Sequence, residues 1–91
     1  MKTYYLTCAI DYPNGDPHLG HAFEKIGADC IARFKRLQGY DVYFSTGVDE
    51  NSLNVARTAR EAGREPRDFV DEFSPRFHDL WQHLDVSADV F

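Results

Sequence analysis

Within the first 47 residues a β-rich run, a helical run and a second β-rich run follow one another with only short connectors between them. That order limits the possible folds more than any other feature of the chain. Residues 3–10, TYYLTCAI, are aromatic and β-favouring and read as a mostly buried strand. From Leu19 the period changes. Leu19, Phe23, Ile26, Cys30, Phe34 and Leu37 recur at three- and four-residue steps, with Lys25, Asp29, Arg33 and Lys35 between them. The spacing predicts an amphipathic helix from His18 to Gln38, closed by Gly39 as a left-handed cap. Residues 41–47, DVYFSTG, read as a second strand. Strand, helix and strand joined by short loops imply a parallel pair with a right-handed crossover, hence an α/β fold.

Beyond the turn VDENS, Asn51 or Ser52 can cap a helix carrying Leu53, Val55, Ala56, Ala59 and Ala62, which Gly63 ends. Pro66 suits a first helical turn, and a stripe runs on through Phe69, Val70, Phe73, Phe77, Leu80, Trp81 and Leu84. Pro75 lies inside that stripe. Its missing N–H and its ring predict two helices meeting there, with Ser74 as the second N-cap. The phenylalanine and leucine stripe reads as core.

A chain of 91 residues is one small domain, and thirteen aromatic rings could fill its core. At this size the surface-to-volume ratio leaves little stability to spare. The net charge of −5 argues against a large nucleic-acid footprint on this chain alone. Lys35, Arg36, Arg57, Arg60, Arg64 and Arg67 read as solvated helix faces, and His78 and His83 as surface residues. Cys8 and Cys30 sit in apolar runs without a close-spaced partner, so they read as buried small hydrophobes and not as a disulfide or zinc knuckle. No apolar run approaches a membrane span or a signal-peptide core, and a soluble, cytoplasmic protein is expected.

In open parallel sheets ligands bind beyond the carboxyl ends of the strands. Both turn clusters, IDYPNGDPHLGH and GVDENS, fall at such ends. The start of the first helix offers unpaired N–H groups to an anion, Gly20 permits close approach to the backbone, and His18 and His21, one turn apart, could donate to the same anionic group. Neither a G-x-G-x-x-G nor a Walker A loop is present. Plainer roles compete with these. The histidines could be solvated or cap the helix, Asp49 and Glu50 could cap the next one, and Tyr12 could be packing. A metal held by the histidines and Asp49 is the lesser reading, because no third soft ligand is spaced for zinc.

PHLGHA after YPNG, with RFKRLQGYDV and TGVDEN in register behind it, resembles the amino-terminal part of the methionyl-tRNA synthetases, which are class I aminoacyl-tRNA synthetases. The H-[IL]-G-H element alone would indicate only class I or a related nucleotidyltransferase. The resemblance covers nearly the whole chain, ending in SADVF. Where the family often has His-Gly after DE this chain has Asn51-Ser52, and Asp11 replaces a more common apolar or aromatic residue.

The resemblance implies that residues 1–91 are the first half of a Rossmann-type, doubly wound catalytic domain, with the second half-sheet, the insertion, the lysine-bearing loop and the anticodon-binding domain outside the chain. It implies activation of methionine by ATP to methionyl-adenylate, then transfer to tRNA(Met), largely through those other domains. His18 and His21 match the catalytic histidines that hold the ATP phosphates, Gly20 the glycine beside the adenine, and Glu24 a further ATP-side position. Ile10 and Tyr12 match walls of the methionine pocket, and Asp49 the carboxylate that takes the substrate ammonium. Mg2+ is expected with ATP, and no zinc site in this chain. Alone, the chain is expected to be inactive, with an open strand edge and uncovered apolar helix faces. The rival readings are a free-standing nucleotide-binding module, a structural or interaction remnant without ligand, and a class I synthetase of cysteinyl or leucyl type.

Overall fold

The computed structural model describes residues 2–91. Its elements run β1 (Thr3–Thr7), α1 (Leu19–Leu37), β2 (Asp41–Ser45), α2 (Leu53–Glu61) and α3 (Pro66–His83). β1 and β2 pair in parallel, with Thr3 opposite Asp41 and Thr7 opposite Ser45, and α1 forms the crossover between them. Both strands end earlier than the β-rich runs suggest, and β1 is not the mostly buried strand they predict, since Thr3, Tyr5 and Thr7 are exposed and Tyr4 and Leu6 only half-buried. Pairing resumes once, at Asp11 opposite Val48. Across that gap the register offset falls from 38 residues to 37, so the three residues 8–10 face only the two residues 46–47. An extra residue of this kind bends the strand and re-aims its side chains.

The far edge of β2 is lined by the last segment of the chain. Thr46 N donates to Val90 O at 3.0 Å, Asp89 N donates to Phe44 O at 2.7 Å, and Asp89 Oδ2 accepts from Phe44 N at 2.7 Å. The sequence pattern of residues 85–91 predicts no such role. Asp29 on α1 ties the segment down by accepting from Ser87 N at 2.8 Å and Ser87 Oγ at 2.5 Å. Arg36 adds bonds to Ser87 Oγ and to Ser87 O, so it is not the solvated residue its spacing suggests.

Helix ends follow the sequence closely. His18 is the N-cap of α1, and Gly39, at φ 89°, turns the chain out of it in the left-handed region. Tyr40 N then donates to Lys35 O at 3.1 Å, satisfying a terminal carbonyl. Ser52, not Asn51, caps α2 by accepting from Val55 N at 3.1 Å, and Gly63, at φ 70°, ends it. α2 and α3 pack through Val55, Ala59, Phe69 and Val70, with Phe73 at the margin.

Three expectations are overturned. α3 is one helix, continuous through Pro75. Pro75 costs about 3 kcal/mol in a helix interior, but Phe69 and Val70 before it and Phe77 and Trp81 after it are all buried, which holds both halves in line. Ser74 does not cap a second helix; its hydroxyl donates to Glu50 Oε2 at 2.6 Å. α1 itself buries Lys25, Asp29 and Ala32 and turns its apolar stripe outward, with Leu19 85% and Phe23 81% exposed, in line with the uncovered helix faces expected of this chain. Cys30 lies on that outer stripe and is exposed, and Cys8 is only half-buried, its thiol donating to Thr46 Oγ1 at 3.2 Å. Neither is the buried hydrophobe that the apolar runs suggest. The result is an elongated body, 51 × 20 × 16 Å. No helix among the described residues is long and apolar enough to cross a membrane.

Candidate active site

The connector from β1 to α1 begins at the bulge and ends at a reciprocal cap. His18 Nδ1 accepts from Gly20 N at 3.1 Å, and His21 Nδ1 accepts from His18 N at 3.0 Å. A ring nitrogen that accepts carries no proton, so each neutral imidazole bears its hydrogen on Nε2. The two rings lie 3.9 Å apart between centroids, and His21 meets the Phe77 ring edge-on at 5.0 Å. Capping and ligand binding are therefore compatible: Nδ1 completes the helix end, and Nε2–H stays available as a donor beside the positive end of the dipole.

Gly20 has a local reason to be glycine. A Cβ there would come within 2.9 Å of His18 Cε1, so any side chain would displace the capping imidazole. Partial burial pushes the His21 imidazole below its ordinary pKa; Asp11 opposes this, while His18 and Lys25 add to it. Glu24 is half-exposed, and its carboxylate lies 3.3 Å from Lys25 Nζ.

Asp11 joins this connector to the loop after β2. Its N–H donates to Gly47 O at 3.2 Å and its carbonyl accepts from Asp49 N at 2.6 Å, the alternation of a parallel ladder. The histidine-bearing and Asp49-bearing loops are thus stitched together by backbone, at the strand ends where the sequence placed them. Asp49 Oδ1 accepts from Asn51 N at 3.3 Å, a turn contact that leaves α2 to be capped by Ser52. Ile10 and Tyr12, on either side of Asp11, are 51% and 44% exposed and present apolar surface beside these loops. At the opposite flank Arg76 of α3 pairs with Asp16 and anchors the turn before His18.

Lys25 is the residue that sequence reasoning passed over. Spacing placed it on the polar face of α1, yet it is fully buried. Its ammonium donates to Ala9 O at 2.8 Å, lies 3.2 Å from Asp11 Oδ2, and sits 5.4 Å from the centre of the Trp81 ring. Burial by itself would lower the Lys25 pKa, but Asp11, with smaller help from Cys8 and Glu24, holds the amine above its ordinary value. A signal was present in the sequence: Asp11, an acid in an otherwise apolar pocket wall, needs a cation.

A family model described as tRNA synthetases class I (M) matches residues 4–91. The methionine–tRNA ligase of Brucella suis is 48% identical over 90 residues, covering 99% of this chain and 18% of that protein. That of Thermotoga maritima is 46% identical over 88 residues, covering 97% and 14%. The chain belongs to the class I methionyl-tRNA synthetases. In structure it resembles the Mycobacterium tuberculosis methionyl-tRNA synthetase in complex with methionyl-adenylate, with a TM-score of 0.95 and 49% identity over 100% of this chain and 18% of that one. The two-stranded parallel sheet and its crossover helix are thus part of the Rossmann-type catalytic fold of these synthetases. Across such relatives the chain spans 13–18% of their length.

Proposed function

We propose that this chain forms the amino-terminal half of the catalytic domain of a methionyl-tRNA synthetase, which joins methionine to ATP, releases pyrophosphate and passes the methionyl group to tRNA(Met). The observation that carries the reading is the paired cap. It holds two Nε2–H donors at one helix N-terminus, on a connector stitched to the loop that bears Asp49. In the reaction the methionine carboxylate attacks the α-phosphorus of ATP and the bond to pyrophosphate breaks. A protein assists mainly by positioning the reactants and stabilising the charge that develops.

His18 and His21 donate to the phosphate oxygens, and Gly20 leaves room beside them for the nucleotide, with Glu24 at its margin. Ile10 and Tyr12 form the apolar wall for the methionine side chain. Asp49 takes the ammonium, the charge-assisted contact that fixes its orientation. Mg2+ arrives with the triphosphate as part of the substrate. Contacts to tRNA(Met) come mainly from other parts of the polypeptide, and work on tRNA places the enzyme in the cytoplasm.

The test is methionine-dependent ATP–pyrophosphate exchange by the full-length polypeptide that carries this segment. Exchange is expected, and Asp49→Ala should raise the methionine KM about ten- to a hundredfold with little change for ATP, the loss of one charge-assisted bond. The 91-residue chain alone should show no exchange, because its histidines meet only one side of the triphosphate. An unchanged methionine KM in the variant would return Asp49 to its turn contact with Asn51.

A further inference from the structure

Building on the function proposed above, we infer that Lys25 is a positioning residue for the amino-acid side of the site, holding in place the bulge from which Ile10 and Tyr12 project. The bulge takes residues 8–10 out of the ladder with β2. A backbone carbonyl released in this way is free to accept from a side chain. Lys25 supplies one, its Nζ lying 2.8 Å from Ala9 O.

The same ammonium pairs with Asp11, whose side chain is 6% exposed and whose Oδ2 has no hydrogen-bond partner among the described residues. Lys25 also donates to Glu24 Oε1 at 3.3 Å, so its ammonium lies among three oxygens, two hydrogen-bonded and one paired by charge. Two of these oxygens, Ala9 O and Asp11 Oδ2, bracket Ile10. Asp11 in turn is bonded through its backbone to Gly47 and Asp49. One buried cation therefore sets the pose of the apolar wall relative to the carboxylate across from it.

His18 and His21 are placed differently. Their rings are held by backbone N–H groups of the α1 start, Gly20 for His18 and His18 for His21, with no bond to Lys25. On the ATP side Lys25 touches only Glu24, at the margin, so the methionine and ATP subsites depend on Lys25 unequally. A residue needed only for folding would lower the amount of active enzyme, and hence kcat, while leaving both KM values alone.

Lys25→Met by itself strands the Asp11 carboxylate in the interior, which can unfold the region. The informative variant is Lys25→Met with Asp11→Asn, which removes both charges and keeps the volumes close. In the full-length polypeptide its methionine KM should rise about tenfold or more, the scale expected of a sub-ångström to ångström displacement at a binding wall. The ATP KM should stay within about threefold of the parent.

Amide hydrogen exchange gives a second reading that needs no substrate. The amides of Asp11 and Asp49 should lose protection in the double variant while those of the Thr3–Thr7 ladder keep theirs. A methionine KM within twofold of the parent, parallel rises in both KM values, or unchanged protection at Asp11 and Asp49 would each overturn the inference. If the parent itself shows no methionine-dependent exchange, the functional reading falls, and the amide protection alone decides whether Lys25 holds the bulge.

Discussion

α1 and the α2–α3 pair are amphipathic to similar degrees in sequence, yet they turn opposite faces inward. α2 and α3 bury Val55, Ala59, Phe69 and Val70 against one another. α1 buries Lys25, Asp29 and Ala32 and leaves Leu19, Phe23 and Leu37 more than four-fifths exposed. The polar stripe of α1 can go inside because every charge on it has a partner from a distant part of the chain. Lys25 meets Ala9 and Asp11, and Asp29 meets Ser87 and Arg33. Hydrophobic burial is thus one way to fasten a helix, and a set of satisfied polar contacts is another.

The contrast can be tested by substitution, with the largest effect expected in the apolar part. Phe77 is fully buried, and Phe77→Ala should cost about 3–5 kcal/mol, as loss of a core aromatic does. Urea unfolding of the 91-residue chain measures it. A cost below that of the polar substitutions would show that the α3 packing is looser than its burial implies.

Asp29→Ala should cost about 1.5–3 kcal/mol, since it strips a buried carboxylate's bonds from Ser87 and Arg33. Burial would push this carboxyl up, but the bonds from Ser87, then Arg33, hold it below the usual carboxylate range. Its contribution is therefore complete above the unfolded value near pH 3.9 and is lost as the pH falls through the lower folded value. Acid titration of the wild type against Asp29→Ala should show the two stabilities converging only at that acid end.

The α1 cap should matter less, about 0.5–2 kcal/mol for His21→Ala, the range for loss of an N-cap contact. Here the pH dependence has its own window. The folded pKa of His21 lies below the ordinary one because of partial burial. The cap is therefore intact above about pH 6.5 and is lost as the pH falls through the folded value, when Nδ1 becomes a donor facing the His18 N–H. Amide exchange at His18 should accelerate across that window while the middle of α1 stays protected. Parallel loss along the whole helix would mean that the cap and the buried polar stripe act as one unit.

The smallest effect belongs to the outer stripe. Phe23 is 81% exposed, and Phe23→Ser should change stability by no more than about 0.5 kcal/mol, as surface substitutions do. A cost of several kcal/mol in the isolated chain would mean that this face is covered in solution, and light scattering would then report self-association.

The amino-acid sequence by itself determined where α1 and α2 start and stop, that the two strands are parallel, and that both turn clusters follow the carboxyl ends of the strands. These features rest on contacts a few residues long: Nδ1 to N–H in the histidine cap, Ser52 to Val55, and left-handed glycines at 39 and 63. Such contacts are written within one turn of chain, so spacing and residue type are enough to read them. Only the tertiary structure decided which face of α1 is buried, that α3 runs through Pro75, that residues 8–10 bulge, and that Lys25 holds them. Each of these depends on partners between 14 and 58 positions away, Asp11 for Lys25 and Ser87 for Asp29 among them. A periodic stripe fixes that two faces differ, but the free energy of burying either one depends on what stands opposite it.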